Sequence, residues 1–141
     1  MECERPKVVG LTGGIASGKS TVSKLISQHP SKIPLIDLDV LARKVVEPGQ
    51  PALKALVKEF GESILEEDGS LNRPALGRLV FGDEERRKIL NRLTHGAIRR
   101  RMAWEILIHW IKGEKVVVVD TPLLVEAGMW KWCGEMVLVW W

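Results

Sequence analysis

Residues 13–20 read Gly13-Gly14-Ile15-Ala16-Ser17-Gly18-Lys19-Ser20 and fit the phosphate-loop pattern G-x-x-x-x-G-K-[ST]. Glycines let such a loop turn its own N–H groups toward a polyphosphate, and the following helix adds the positive end of its dipole. Lys19 would bring a charge to the outer phosphates, and Ser20 would offer a hydroxyl to magnesium. The stretch therefore predicts a site for a nucleotide and its metal ion.

The flanking sequence supports this interpretation. Residues 7–12 are typical of a short buried strand, and residues 21–28 are typical of an amphipathic helix with Val22, Leu25 and Ile26 on one side. The alternative is an ordinary glycine-rich turn. The strand–loop–helix order favours the phosphate loop, because the pattern requires that context.

Composition limits the class of protein. The chain has 141 residues, of which 45% are hydrophobic and 28% are charged, so a globular domain with a core is expected. The sequence has no apolar run of membrane-spanning length, and its first residues lead us to expect no secretory signal. Cys3 and Cys133 form neither a metal spacing nor a disulfide framework, which favours the cytoplasm and leaves mitochondrial association open. A net charge of +3 suits an anionic ligand and is too weak to indicate a nucleic-acid partner.

Further strands are predicted at residues 33–37, 115–120 and 136–140, with helices between them. The unbroken run Val116–Val119 is typical of a strand covered on both faces, and residues 136–140 are of the same type. Strands that alternate with helices predict an α/β fold with a parallel sheet and right-handed crossovers.

Three polar side chains end predicted strands. Thr12, Asp37 and Asp120 each stand at a carboxyl end, where parallel sheets bind their ligands. We therefore expect the two acids, Asp37 and Asp120, to converge with the phosphate loop.

The middle of the chain is predicted to be helical. One helix covers residues 52–60, and Asn72 is a suitable N-cap for a second that runs to residue 80. A third runs to about residue 93, where Thr94 would cap a further helix over residues 95–112. That last helix is apolar nearly all round, which predicts a core helix.

Two acids have competing interpretations. Asp39 follows the second strand and could deprotonate an acceptor hydroxyl, or it could merely cap the next helix. Asp120 could assist magnesium, or it could be a turn residue before Pro122. Leu123 stands where a D-x-x-G switch after Asp120 would need glycine, which argues against a GTPase.

The roles of the basic residues and of His95 also have more than one interpretation. Arg43 and Arg99 could grip acceptor phosphates by bidentate contacts, although most arginines in the runs at 86–87 and 99–101 are expected on a solvated helix face. His95 is either a polar ligand contact or an ordinary histidine near a helix cap.

These residues together resemble the dephospho-coenzyme A kinase family. The likeness is collinear over nearly the whole chain. It is carried by residues 9–20, by Ile36-Asp37-Leu38-Asp39 with Ala42-Arg43, by Phe60-Gly61, by Leu71-Asn72-Arg73, by Thr94-His95 with Ile98-Arg99, and by Asp120-Thr121-Pro122-Leu123-Leu124-Val125-Glu126.

The resemblance implies ATP-dependent phosphorylation of the ribose 3′-hydroxyl of dephospho-CoA, with Mg²⁺, as the last step of coenzyme A synthesis. It implies a single phosphate-loop kinase domain over residues 1–141 with a helical acceptor-binding insertion within about 52–112. Residues 13–20 would bind ATP, and Asp39 and Lys19 would be catalytic. Acceptor contacts would come from Arg43, His95 and Arg99, and residues 120–126, with Glu126, would line the acceptor pocket. Ser20 would contact the metal, and the strand-end position of Asp120 separately predicts a metal contact there.

Two departures from the family pattern matter. Gly96 stands where the family usually has proline after the histidine. Family members also continue into an arginine-bearing lid, a further strand and helices, so we expect this chain to lack the lid and the last strand. The strand at 136–140 would then be an exposed apolar edge, which predicts self-association.

Two other functions remain open. The chain could be a lid-less module that binds nucleotide or CoA-like ligands without efficient turnover, as the missing lid suggests. It could also be another nucleoside or metabolite kinase, although the segment 120–124 favours the dephospho-CoA kinase family.

Overall fold

The computed structural model describes residues 6–14, 16–121, 131 and 133–139. Within this part the chain forms two compact units. The sheet unit contains the described residues up to Asp39 and from Met102 onward, and the helical unit contains Val40–Arg101.

The sheet unit is built on four parallel strands, as the sequence predicts. They are β1 (Lys7–Gly13), β2 (Leu35–Asp37), β3 (Val116–Asp120) and β4 (Glu135–Val139), in the order β2-β3-β1-β4. Val117, Val118 and Val119 of β3 are buried and Val116 is half-buried, and the strand has a hydrogen-bonded neighbour on each side. The register pairs Asp120 with Asp37 on one side and with Leu11 on the other, so the two acids end neighbouring strands at one edge.

Five α-helices and one short 3₁₀ turn complete the described structure. Asn72 caps the fourth helix as predicted, because its Oδ1 accepts a hydrogen bond from the Ala75 N–H at 2.8 Å. The helices are α1 (Lys19–Gln28), α2 (Leu38–Lys44), α3 (Pro51–Phe60), α4 (Arg73–Val80) and α5 (Glu84–Ile111), and the 3₁₀ turn is Glu62–Ile64.

The helical unit has a core of its own. Leu56 and Ile64 are completely buried at its centre, and Leu71, Leu90 and Ile98 pack around them. The remaining buried members of this core are Val45, Val46, Ala52, Leu76 and Ala97.

The predicted helix boundary at Thr94 is wrong. Helix α5 is continuous from Glu84 to Ile111, and the Thr94 hydroxyl donates to the Leu90 carbonyl oxygen at 2.8 Å. A threonine hydroxyl can bond either ahead as an N-cap or back to the previous turn, and here it bonds back. Gly96 therefore lies inside a helix and not at a helix start.

The core-helix prediction for residues 95–112 also needs correction. Met102 is buried, but Trp104 is 55% exposed and Ile111 is 77% exposed. These two side chains lie on the outer side of the helix within the described structure. An apolar sequence on all sides of a helix therefore does not mean that all sides are covered here.

Strand β4 exists as predicted but is not covered on both faces. In the described part of the chain it pairs only with β1 and ends the sheet, and Met136, Val137 and Leu138 are 46–64% exposed. The exposed apolar edge is thus present, while self-association stays a prediction. Among the described helices, none is both long enough and apolar enough to cross a membrane.

Candidate phosphate-binding site and acceptor cavity

The predicted phosphate loop joins β1 to α1. The Ser17 N–H donates to the Gly14 carbonyl oxygen at 3.2 Å, which closes a turn. Ala16 and Gly18 have φ values of 62° and 86°, and Gly18 is the N-cap of α1. The helix begins at Lys19, two residues earlier than predicted, so Lys19 and Ser20 lie in its first turn. Because Gly18 has no side chain, no side-chain cap occupies this helix end, and its N–H groups can serve an anion.

Gly13 is the tightest point of the loop. A Cβ atom at this position would lie 2.6 Å from the Ser17 Oγ and 2.8 Å from the Val139 carbonyl oxygen. The serine could rotate away, but the backbone of β4 could not. Glycine is therefore required at 13 by packing, whereas a Cβ at Gly14 would meet nothing within 4 Å.

We expect Gly13→Ala to disturb the loop and Gly14→Ala to be tolerated. Overpacking of this kind costs about 1–3 kcal/mol, so Gly13→Ala should lower the melting temperature and weaken nucleotide binding by about tenfold or more. Thermal unfolding and a nucleotide titration on both variants measure this. Equal behaviour of the two variants would contradict the packing argument.

Lys19, in the first turn of α1, and Asp120, at the end of β3, form an ion pair. The Lys19 Nζ contacts the Asp120 Oδ1, and the two side chains are only 18% and 8% exposed. The Ser23 Oγ lies 2.7 Å from the other carboxylate oxygen, Oδ2. The lysine of the predicted loop and the acid that ends β3 are thus brought together, 101 residues apart in sequence.

Two acids, Asp37 and Asp39, lie where β2 ends and α2 begins, and the sequence left open whether Asp39 caps this helix. The Asp37 Oδ1 accepts a hydrogen bond from the Asp39 N–H at 2.9 Å. Asp37 therefore supports the first turn of α2, and Asp39 lies inside that turn with its side chain exposed. The alternative that Asp39 caps the helix is wrong.

The helical unit contains a cavity of about 330 Å³. Its floor is apolar and includes Val46, Leu56 and Leu76, and polar groups come from Asn91, Thr94 and His95 on α5 and from Arg73 on α4. A mostly apolar cavity of this size with a few polar groups is typical of a small-molecule site. His95 thus lines a cavity. Sequence reasoning did not single out Arg73 as a site residue and did not consider Asn91 at all.

Arg43 and Arg99 are exposed residues of the helical unit and do not line this cavity. The Arg99 Nε donates to the His95 carbonyl oxygen one turn earlier, at 3.4 Å. Ile15 and Glu126 lie outside the described residues, so their assignments stay predictions.

The described residues contain no cluster of three or more His, Cys, Asp or Glu side chains that could hold a metal ion alone. Burial raises the pKa of the Cys133 thiol. Magnesium is commonly held by one or two carboxylates together with substrate phosphates, and Asp120 provides a carboxylate while Ser20 provides a hydroxyl oxygen.

Comparisons with known proteins agree with this fold. A family model described as dephospho-CoA kinase matches residues 7–141. The chain is 48% identical over 134 residues to the dephospho-CoA kinase of Oryza sativa and 49% identical to that of Arabidopsis thaliana, covering 95% of this chain in each case. The solved dephospho-CoA kinase of Campylobacter jejuni superposes with a TM-score of 0.74 at 26% identity, over 93% of this chain and 64% of that one.

A parallel sheet with a glycine-rich loop, a helix-borne lysine and a strand-end aspartate defines the phosphate-loop, kinase-type α/β proteins. Within that class, the chain belongs to the dephospho-CoA kinase family. It spans 57% of the length of the two plant relatives.

Proposed function

We propose that this chain catalyses the ATP-dependent phosphorylation of the ribose 3′-hydroxyl of dephospho-CoA, which yields coenzyme A and ADP. The main observation behind the proposal is the ion pair between Lys19, which directly follows the loop, and Asp120, at the carboxyl end of β3. The family match over residues 7–141 supplies the identity of the acceptor.

The residues of the loop fit a nucleotide. The Ser17 Oγ is buried and has no hydrogen-bond partner among the described residues. A bound phosphate could supply the missing hydrogen bond. The uncapped first turn of α1 offers N–H groups, and Lys19 offers a charge. Ser20 and Asp120 would hold Mg²⁺, which when bound neutralises charge on the phosphates.

The acceptor is proposed to occupy the cavity of the helical unit, lined by Arg73, Asn91 and His95. Arg43, Arg99 and Glu126 are kept as further contacts. In the reaction the 3′-oxygen bonds to the γ-phosphorus, and the bond from that phosphorus to the β-bridging oxygen breaks. The hydroxyl proton passes to Asp39, and ADP leaves with the bond's electron pair.

The test is ADP release from magnesium-ATP with and without dephospho-CoA. Release that depends on dephospho-CoA, with formation of coenzyme A, would support the proposal. A folded chain that binds nucleotide but releases no acceptor-dependent ADP would refute turnover and favour the binding module.

The assignment of the cavity to the acceptor can be tested at Arg73, which lines it. We expect Arg73→Ala to raise the KM for dephospho-CoA about tenfold, while the KM for ATP and kcat stay close to wild type, because the loss concerns acceptor binding alone. Initial rates against each substrate measure this. Arg78→Ala is the matched control, since Arg78 lies on the same helix and does not line the cavity. Equal effects of the two arginines would contradict the cavity assignment.

A further inference from the structure

Ser23 touches the same carboxylate as Lys19. Its Oγ lies 2.7 Å from the Asp120 Oδ2 and 3.1 Å from the Lys19 carbonyl oxygen, while the Lys19 Nζ contacts the Asp120 Oδ1. Positions 19 and 23 are four residues apart and lie on one face of α1. Both oxygens of the buried carboxylate are therefore held by a single helix face.

The serine hydroxyl has one hydrogen to donate. Of its two acceptors, the carboxylate oxygen is both nearer and charged, and bonds to charged acceptors are the stronger ones. The Ser23 hydroxyl therefore donates to Asp120, and its contact with the helix carbonyl is secondary.

The two partners of Asp120 differ in what a nucleotide would require of them. The phosphates of a bound nucleotide would attract the Lys19 ammonium group, so Lys19 would no longer interact with Asp120 alone. The Ser23 hydroxyl is neutral, so the phosphates do not attract it away from Asp120. Ser23 is the contact that can keep the carboxylate oriented while Lys19 turns to the phosphates.

We propose that Ser23 is a positioning residue that fixes the Asp120 carboxylate for the magnesium ion of the bound nucleotide. The inference rests on the proposed function for the assignment of Asp120 to the metal. Ser23 itself touches neither nucleotide nor metal in this assignment and acts through Asp120. Loss of the Ser23 hydroxyl should therefore weaken nucleotide binding only when magnesium is bound.

The test compares equilibrium binding of ATP in excess Mg²⁺ with binding of ATP in excess EDTA, measured by titration calorimetry on the full chain. Ser23→Ala should weaken binding of magnesium-ATP about tenfold and leave binding of metal-free ATP within about twofold of wild type. Ser27→Ala is the matched control: the Ser27 hydroxyl is exposed on the same helix and, among the described residues, donates to the Lys24 carbonyl oxygen, so neither affinity should change. Ser23→Thr keeps the hydroxyl and should restore most of the magnesium-dependent affinity.

An equal loss in both media would mean that Ser23 only supports the helix, and no loss in either would mean that it has no role; each result overturns the inference. Nucleotide binding that shows no magnesium dependence in the wild type would overturn it as well. A metal-specific loss in a chain that never phosphorylates dephospho-CoA would sustain the role of Ser23 and refute the proposed function alone.

Discussion

Replacing Lys19 by alanine is expected to lower dephospho-CoA-dependent ADP release by about a thousandfold. Lys19 is the only lysine in the first turn of α1, and it is held close to the loop by Asp120. A positive charge at a transferring phosphoryl group is worth about 10²–10³ or more in rate, because it acts where negative charge develops in the transition state. Initial rates at saturating magnesium-ATP measure the effect.

Lys24→Ala is the control for this experiment, because Lys24 is an exposed lysine on the same helix. Its activity should match wild type. Retention of more than about a tenth of the wild-type rate by Lys19→Ala would contradict the assignment of the loop as the phosphate site.

Lys19→Ala also removes the cation from a nearly buried carboxylate. Breaking a fully buried pair costs about 3–5 kcal/mol, and the partial exposure of Lys19 reduces the expected loss here to about 1–3 kcal/mol. Lys19→Met combined with Asp120→Asn removes both charges and should recover most of this stability without recovering turnover. Denaturant unfolding of the single and double variants therefore separates the catalytic effect from the structural one.

The sheet and the phosphate loop could be predicted because their signals are local. A run of four valines needs cover on both faces whatever its neighbours are, and the spacing of Gly13, Gly18 and Lys19 is set within eight residues. The placement of Asp120 beside the loop followed from a general property of parallel sheets. None of these inferences required knowledge of a distant contact.

The remaining features depend on tertiary contacts. Thr94 can bond ahead or back, and only its surroundings decide between a cap and a continuous helix. Ser23 is 97 residues from Asp120, so its role is invisible until the strand is placed, although its spacing of four from Lys19 was a usable signal. Arg73 and Asn91 belong to different helices and meet only at the cavity.

The second large effect concerns Asp39. We expect Asp39→Asn to lower kcat by about 10²–10³ and to leave nucleotide binding unchanged. General-base catalysis contributes about 10²–10⁴ in rate. Phosphoryl transfer proceeds through a loose transition state in which the nucleophile is little deprotonated, so the effect should lie in the lower half of that range.

The structure makes Asp39 suitable for this test. Its backbone N–H is bonded to the Asp37 Oδ1, so the first turn of α2 is supported by Asp37 and does not depend on the Asp39 carboxylate. The asparagine variant should therefore fold as well as wild type while lacking a proton acceptor. Asp37→Asn, in contrast, should affect the helix start and thereby stability, because it weakens the acceptor of that hydrogen bond.

The decisive comparison is between kcat and ATP affinity in Asp39→Asn, with Glu59→Gln as the control for loss of an exposed carboxylate on a helix. A fall in kcat with unchanged ATP affinity would assign proton removal to Asp39. An unchanged kcat would mean that another group takes the proton or that none is needed. Because Lys19→Ala acts on the phosphates and Asp39→Asn on the acceptor hydroxyl, binding of magnesium-ATP should fall in the first variant and persist in the second.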